Sequence, residues 1–169
     1  MPADTNPAAG LDALTGSRVT GVDRSDNLVE IRFARGDDRF VLRAYCPLRV
    51  VVGGRIVVGT ADCQCPADRE VDPVAAYASR TTVFDRNARR LSALLAEREI
   101  TVASALVADA TGMVVIRSAG NLRIDLVPAC SGPVNAWRLS TVNAAVDSTV
   151  DAAVDSTVLA EYPPARRKA

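Results

Sequence analysis

The amino-acid sequence predicts an α+β domain of antiparallel β-hairpins packed against one main amphipathic helix, with flexible N- and C-terminal tails. Three observations carry this. Short stretches before residue 60 and after residue 100 alternate apolar and polar residues with the period of a half-buried strand. Between them, from Asp72, the period changes to that of a helix. The two ends have neither period: residues 1–16 are rich in Pro, Ala, Gly and Asp, and residues 141–169 contain the duplicated unit "AAVDSTVD AAVDSTVL". The expected organisation is a lead over 1–16, a single domain over 17–140 and a low-complexity tail over 141–169.

Each element follows in chain order. "RVTGVDR" (18–24) and "LVEIRF" (28–33) are strands joined by the turn residues "RSDN"; Val29, Ile31 and Phe33 share one face, Glu30 and Arg32 the other. "RFVLRAY" (39–45) continues the meander through "ARGDD". "LRVVV" and "RIVVG" (48–59) form a hairpin about Gly53-Gly54, both free to adopt the positive φ of a type I′ turn. Asp72 is suited to N-cap a helix with Pro73 at its first position. Val74, Tyr77, Phe84, Ala88, Leu91 and Leu95 then fall on one helical face, in one bent helix or in two that break near residue 82, where "TTV" is weak for helix. "ITVASALVA" (100–108), "MVVIRS" (113–118), "NLRIDLV" (121–127) and "NAWRLS" (135–140) complete the strands. "VEIRFARGDDRFVLRAYCP" and "VVIRSAGNLRIDLVP" share an order of strand, glycine turn, alternating strand and proline. Either the chain holds a structural pseudo-repeat around the helix, or all hairpins alternate in this way.

Composition limits the function. A chain of 169 residues suggests one domain. No apolar run approaches the roughly 18 residues of a membrane span, and the first residues lack the pattern of a secretory signal. A cytoplasmic protein is therefore expected, without a membrane. Twenty basic residues balance twenty acidic ones, so no nonspecific hold on nucleic acid is expected. The cations are arginines apart from Lys168, and arginine, alanine, valine and aspartate abound, as a GC-rich, actinobacterial genome produces. The absence of histidine removes every histidine-based base, triad or metal site and weighs against an enzyme.

"GTADCQCPADRE" (59–70) is the most chemically loaded stretch. Cys63 and Cys65 there, with Cys46 and Cys130 near strand ends, number the four thiols of a structural zinc site, although C-x-C is less usual than C-x2-C. Reduced cysteines without a ligand are the simpler reading, and no cofactor is otherwise expected. Asp62, Asp68, Glu70 and Asp72 could bind a hard cation or serve a small carboxylate-based enzyme, but match no EF-hand spacing. A solvated loop leading to a capped helix is the simpler account of them. Arg32, Arg43 and Arg123 share strand faces with Glu30 and Asp125, which suggests cross-strand ion pairs rather than a basic patch. Trp137 is either a core-edge residue or an exposed binding anchor.

One stretch carries a resemblance. "GMVVIRSAGNLRIDLVPACSGPVNAWRLS", with weaker agreement at "GSRVTGV" and "LVEIRF", resembles small actinobacterial proteins, some of them like immunity proteins of polymorphic toxin systems. Ala119 stands where that set has an acidic residue before the turn glycine. The resemblance brings no catalytic residues and implies a protein partner. A non-enzymatic binding or immunity-like protein is thus the leading expectation, with a thiol- or zinc-dependent protein using Cys46, Cys63, Cys65 and Cys130, or a carboxylate enzyme, as alternatives.

Overall fold

The computed structural model describes residues 7–25, 28–129, 135–142 and 157–162. It is a mixed α+β structure with two five-stranded antiparallel sheets. After a short helix α1 (Pro7–Asp12) come strands β1 (Arg18–Ser25), β2 (Leu28–Arg35), β3 (Asp38–Ala44), β4 (Leu48–Val52) and β5 (Arg55–Gly59). A 3-10 turn (Thr60–Gln64) and two helices, α2 (Pro73–Ala78) and α3 (Val83–Glu97), follow. The chain then forms β6 (Val102–Val107), β7 (Val114–Ser118), β8 (Leu122–Leu126), β9 (Trp137–Val142) and β10 (Val158–Tyr162). One sheet has the order β1-β2-β3-β9-β10, the other β5-β4-β8-β7-β6. In each sheet a three-strand meander from one half of the chain is completed by a hairpin from the other half.

This exchange obeys a pseudo-two-fold rule that extends to single residues. In the β2–β3 hairpin Ile31 faces Leu42, and in β7–β8 Ile116 faces Ile124. β1 slips register between Val19 and Gly21; β6 slips between Val102 and Ser104. β5 carries its extra residue at Val57, and β10 at Leu159. Extra residues in antiparallel pairs bend and twist a sheet, so both sheets bend at matching points. The joints match too. Val19 N donates to Ile100 O at 2.9 Å and Val102 N to Ser17 O at 2.8 Å, on either side of an Arg18–Thr101 bridge. At the opposite crossover Tyr45 N donates to Ala136 O at 2.9 Å and Val127 N to Pro47 O at 2.8 Å. The resemblance between the two β-rich stretches is therefore structural: the described residues form two five-strand units, β1–β5 packed by α3 and β6–β10 packed by α1. With β1 bonded to β6, β5 and β10 remain as the outer strands.

The helical stretch is two helices. Asp72 caps α2, accepting from Val74 N and Ala75 N at 3.0 Å each, and Pro73 occupies the first turn. Arg80 takes a left-handed φ of 57° and ends the run. Thr82 then restarts it with a reciprocal capping box to Asp85. The break resets the helical phase and corrects the predicted face. Phe84, Ala88, Leu91 and Leu95 are buried along α3, but Val74 is 76% exposed, and in α2 it is Ala76 that is buried.

Both ends also differ from the expected flexible tails. Leu11 and Leu14, within the 1–16 lead, are fully buried, as is Ala160, within the 141–169 tail. They join one apolar cluster with Ile31, Phe33, Leu42, Phe84, Ile116, Ile124 and Trp137. The reason is topological: each unit's final hairpin fills a place in the other unit's sheet, and the hairpin of the second unit ends at Tyr162. Residues 143–156, which hold most of the octapeptide duplication, lie outside the described residues. No helix among the described residues is long and apolar enough to cross a membrane.

Candidate functional site

Departures from the pseudo-symmetry locate the candidate site. The segment from Thr60 to Thr82, with its cysteines and α2, links β5 to α3 in the first unit. It lies over the junction of β1 with α3, where Arg24 and Asp85 meet. Arg24 Nε donates to Asp85 Oδ1 at 2.8 Å, and its Nη2 donates to Asp85 Oδ2 at 3.0 Å and to Tyr77 O at 2.6 Å. The Tyr77 ring covers the guanidinium, 4.1 Å from its centroid. Asp85 also accepts from Thr82 N at 3.0 Å and Thr82 Oγ1 at 2.7 Å. Arg24 and Asp85 are both buried. Hydrogen bonding to Asp85 raises the Arg24 guanidinium above its ordinary value against the opposing effect of burial. Burial pushes the Asp85 carboxyl upward, but its bonds from Arg24 and Thr82 outweigh that and hold it low.

Beside this pair is a cavity of about 360 Å³. Its apolar wall is formed by Leu28, Val29, Ala44 and Pro47. Arg24, Tyr45, Thr60, Gln64 and Tyr77 add polar groups, and Cys46 and Cys63 face it as well. Among the described residues, larger side chains occupy the corresponding positions of the second unit. There Leu126 stands for Ala44, Trp137 for Leu48 and Tyr162 for Thr60, as the strand registers require. The Trp137 and Tyr162 rings stack with centroids 6.4 Å apart, and Trp137 Nε1 donates to Gly112 O at 2.9 Å. Gly112 lies so close to the Tyr162 ring that a side chain there would overlap it. Trp137 is thus a fully buried core residue rather than an exposed anchor.

A second opening separates α3 from the β4–β5 hairpin. Val52, Ile56 and Val57 form one wall and Asn87, Arg90, Leu91 and Leu94 the other, around about 360 Å³. Its counterpart in the second unit is closed. Gly10 of α1 sits against Leu159 O and Ala160 Cβ, and any side chain at residue 10 would overlap both. The first unit has no such glycine contact, and Ile56 on the outer strand is 61% exposed.

The predicted site residues divide. Cys46, buried, and Cys63, half-buried, come to the same cavity. Cys65 is exposed, with Sγ 4.0 Å from Ala61 O, and Cys130 lies outside the described residues. Among the described residues no group of three or more potential ligands could hold a metal ion. Burial pushes the Cys63 thiol up to about 11, although Arg24 pulls it the other way. Asp62 accepts from Gly59 N at 3.2 Å, Asp68 from Glu70 N at 3.0 Å, and Asp72 caps α2. Together with Glu70, these carboxylates line neither opening. Of the predicted cross-strand pairs, Arg43 Nε–Glu30 Oε1 is present at 2.8 Å; Arg32 pairs across strands with Asp23 instead, Nη2 to Oδ2 at 3.6 Å, and Arg123 meets Asp125 within β8 at 3.1 Å, while the cross-strand partner of Asp125 is Arg49 at 2.7 Å. Sequence reasoning missed Arg24 and Asp85. The readable signal was the T-x-x-D spacing of Thr82 and Asp85, a helix start, although nothing local pointed to Arg24 as partner. Comparison with known protein families, curated proteins and solved structures finds no match.

Proposed function

We propose that this chain is a non-enzymatic binding protein of the cytoplasm whose first unit docks a protein partner in the groove between α3 and the β4–β5 hairpin. The observation carrying the reading is the asymmetry of the two units: the helix closes on the outer strand at Gly10 and stands away from it beside Ile56. An outer strand offers unpaired backbone groups to an incoming strand. Ile56, Val57 and Leu94 supply apolar contact, and Arg90 is the one charged side chain among the lining residues. An apolar segment with an acidic flank complements that surface. The resemblance to immunity proteins makes a toxin-like domain the partner to try first.

The test is co-expression with the products of the adjacent genes, followed by calorimetry on any complex. The proposal expects a one-to-one complex that Ile56→Asp weakens by about 2 kcal/mol or more, the cost of losing an anchor residue. A complex indifferent to Ile56→Asp, or no complex with any neighbouring product, would overturn it.

A second reading, a thiol- or zinc-dependent protein, draws support from Cys46 and Cys63 facing one cavity. It requires stoichiometric zinc in the purified protein, lost on Cys63→Ser substitution. Metal-free protein from zinc-supplemented cells would eliminate the zinc form of this reading.

A further inference from the structure

We infer that the cavity beside Arg24 is a binding site for a small, flat aromatic molecule carrying a carboxylate or carbonyl acceptor. Independently of the groove, the protein's own second unit indicates what suits this volume. At equivalent backbone positions Leu126, Trp137 and Tyr162 fill the space with larger side chains, two of them stacked aromatic rings. The first unit has Ala44 and Thr60 in the cavity wall where the second has Leu126 and Tyr162, and leaves about 360 Å³ open, a volume within the range of small-molecule sites. Neighbouring groups complement a flat ring: Leu28, Val29 and Pro47 form an apolar wall, and Tyr45 and Tyr77 add aromatic surface.

Arg24 selects the polar group. Its side chain is 5% exposed, and its Nε and Nη2 are occupied by Asp85 and Tyr77 O. Arg24 lines the cavity, and Nη1 is the one guanidinium nitrogen not engaged by Asp85 or Tyr77 O. A guanidinium group facing a cavity favours an oxygen acceptor. No carboxylate lies among the described lining residues, so nothing there favours a cationic ligand.

The experiment uses the full chain and two probes, indole-3-acetate and its neutral amide. Titration is followed by amide chemical shifts and by the alkylation rate of Cys63, which lies in the wall. Saturable binding of either probe is expected, with shifts at Ala44 and Thr60 and slowed Cys63 alkylation. Tighter binding of the acetate assigns a carboxylate, and equal binding a carbonyl-type acceptor. Ala44→Leu, which copies Leu126, should weaken binding by about tenfold or more by filling the space. Thr60→Tyr, which copies Tyr162, provides the same test if the first variant fails to fold. Absence of saturable binding by both probes, or binding unaffected by the folded filling variant, would overturn the inference. Equal affinity for cyclohexane acetate would overturn the aromatic part.

Discussion

Replacing Asp85 by alanine should cost more stability than any other carboxylate substitution among the described residues. The change removes two contacts to Arg24, at 2.8 and 3.0 Å, and the bonds from Thr82 N and Oγ1. A buried guanidinium left without its partner costs about 3–5 kcal/mol, and loss of the capping interaction adds about 1 kcal/mol. The expected loss of about 4–6 kcal/mol is a large share of the roughly 5–15 kcal/mol that holds such domains together. Arg24→Met should cost less, about 2–4 kcal/mol, because Asp85 keeps both Thr82 donors while its charge loses its partner. The double variant leaves neither charge stranded. Its cost should fall below the sum of the single losses by about 2 kcal/mol or more. Urea denaturation followed by far-UV circular dichroism and by Trp137 fluorescence measures all three, with an unchanged denaturant slope confirming an unchanged reference state. Single losses under about 1 kcal/mol that simply add would refute the view that this pair anchors α3 to β1.

Further outcomes are expected. Truncation after Val142 removes Ala160 and the Tyr162 ring stacked on Trp137, so tryptophan emission should shift to the red; unchanged emission would show that β10 is dispensable. Gly10→Val should destabilise the protein by about 1–3 kcal/mol through overlap with Leu159 and Ala160, measured by thermal melting. Iodoacetamide at pH 8 should modify exposed Cys65 well before Cys63, whose thiol is pushed up to about 11; equal rates would refute the burial argument. Because that value lies above the ordinary 9.0, Cys63 stabilises the folded state fully below about pH 9, and its contribution is lost as pH rises toward 11. Asp85 has the opposite sign: its carboxyl is held low, so its contribution persists above the ordinary carboxylate range and is lost on acidification through its lowered value.

Much of the fold was legible where one residue in two is buried. Val29, Ile31 and Phe33 identify β2, and Leu122, Ile124 and Leu126 identify β8, by alternation alone. Asp72 and Pro73 marked the start of α2 for local reasons that no tertiary contact overrides. β10 escaped because it begins inside the octapeptide duplication, whose valines recur every four residues, and because the extra residue at Leu159 interrupts its alternation. The pseudo-repeat was visible but undecided, since any pair of hairpins alternates. It is the matched register slips and crossover bonds that decide it, and these depend on pairing between distant segments. The cysteine loop drew attention for its thiols, whereas the burial lies beneath it. A strand arginine and a first-turn aspartate are ordinarily solvated, so nothing local announced Arg24 and Asp85. The two openings are differences between units, visible only once the units are superposed in register.

The exchanged hairpins also set an order of events during synthesis. β3 has β2 on one side as soon as residue 44 has emerged, but its other neighbour, β9, begins at residue 137. β4 likewise waits for β8, which begins at residue 122. A nascent chain therefore carries two apolar strands with open edges until β8 and β9 emerge, a hazard for edge-to-edge pairing between neighbouring polysomal chains. Arg39, Arg43 and Arg49 lie along those waiting strands. Charges on such strands discourage wrong partners; in the folded chain Arg43 and Arg49 pair with Glu30 and Asp125, and Arg39 donates to the backbone carbonyls of Gly36 and Asp38.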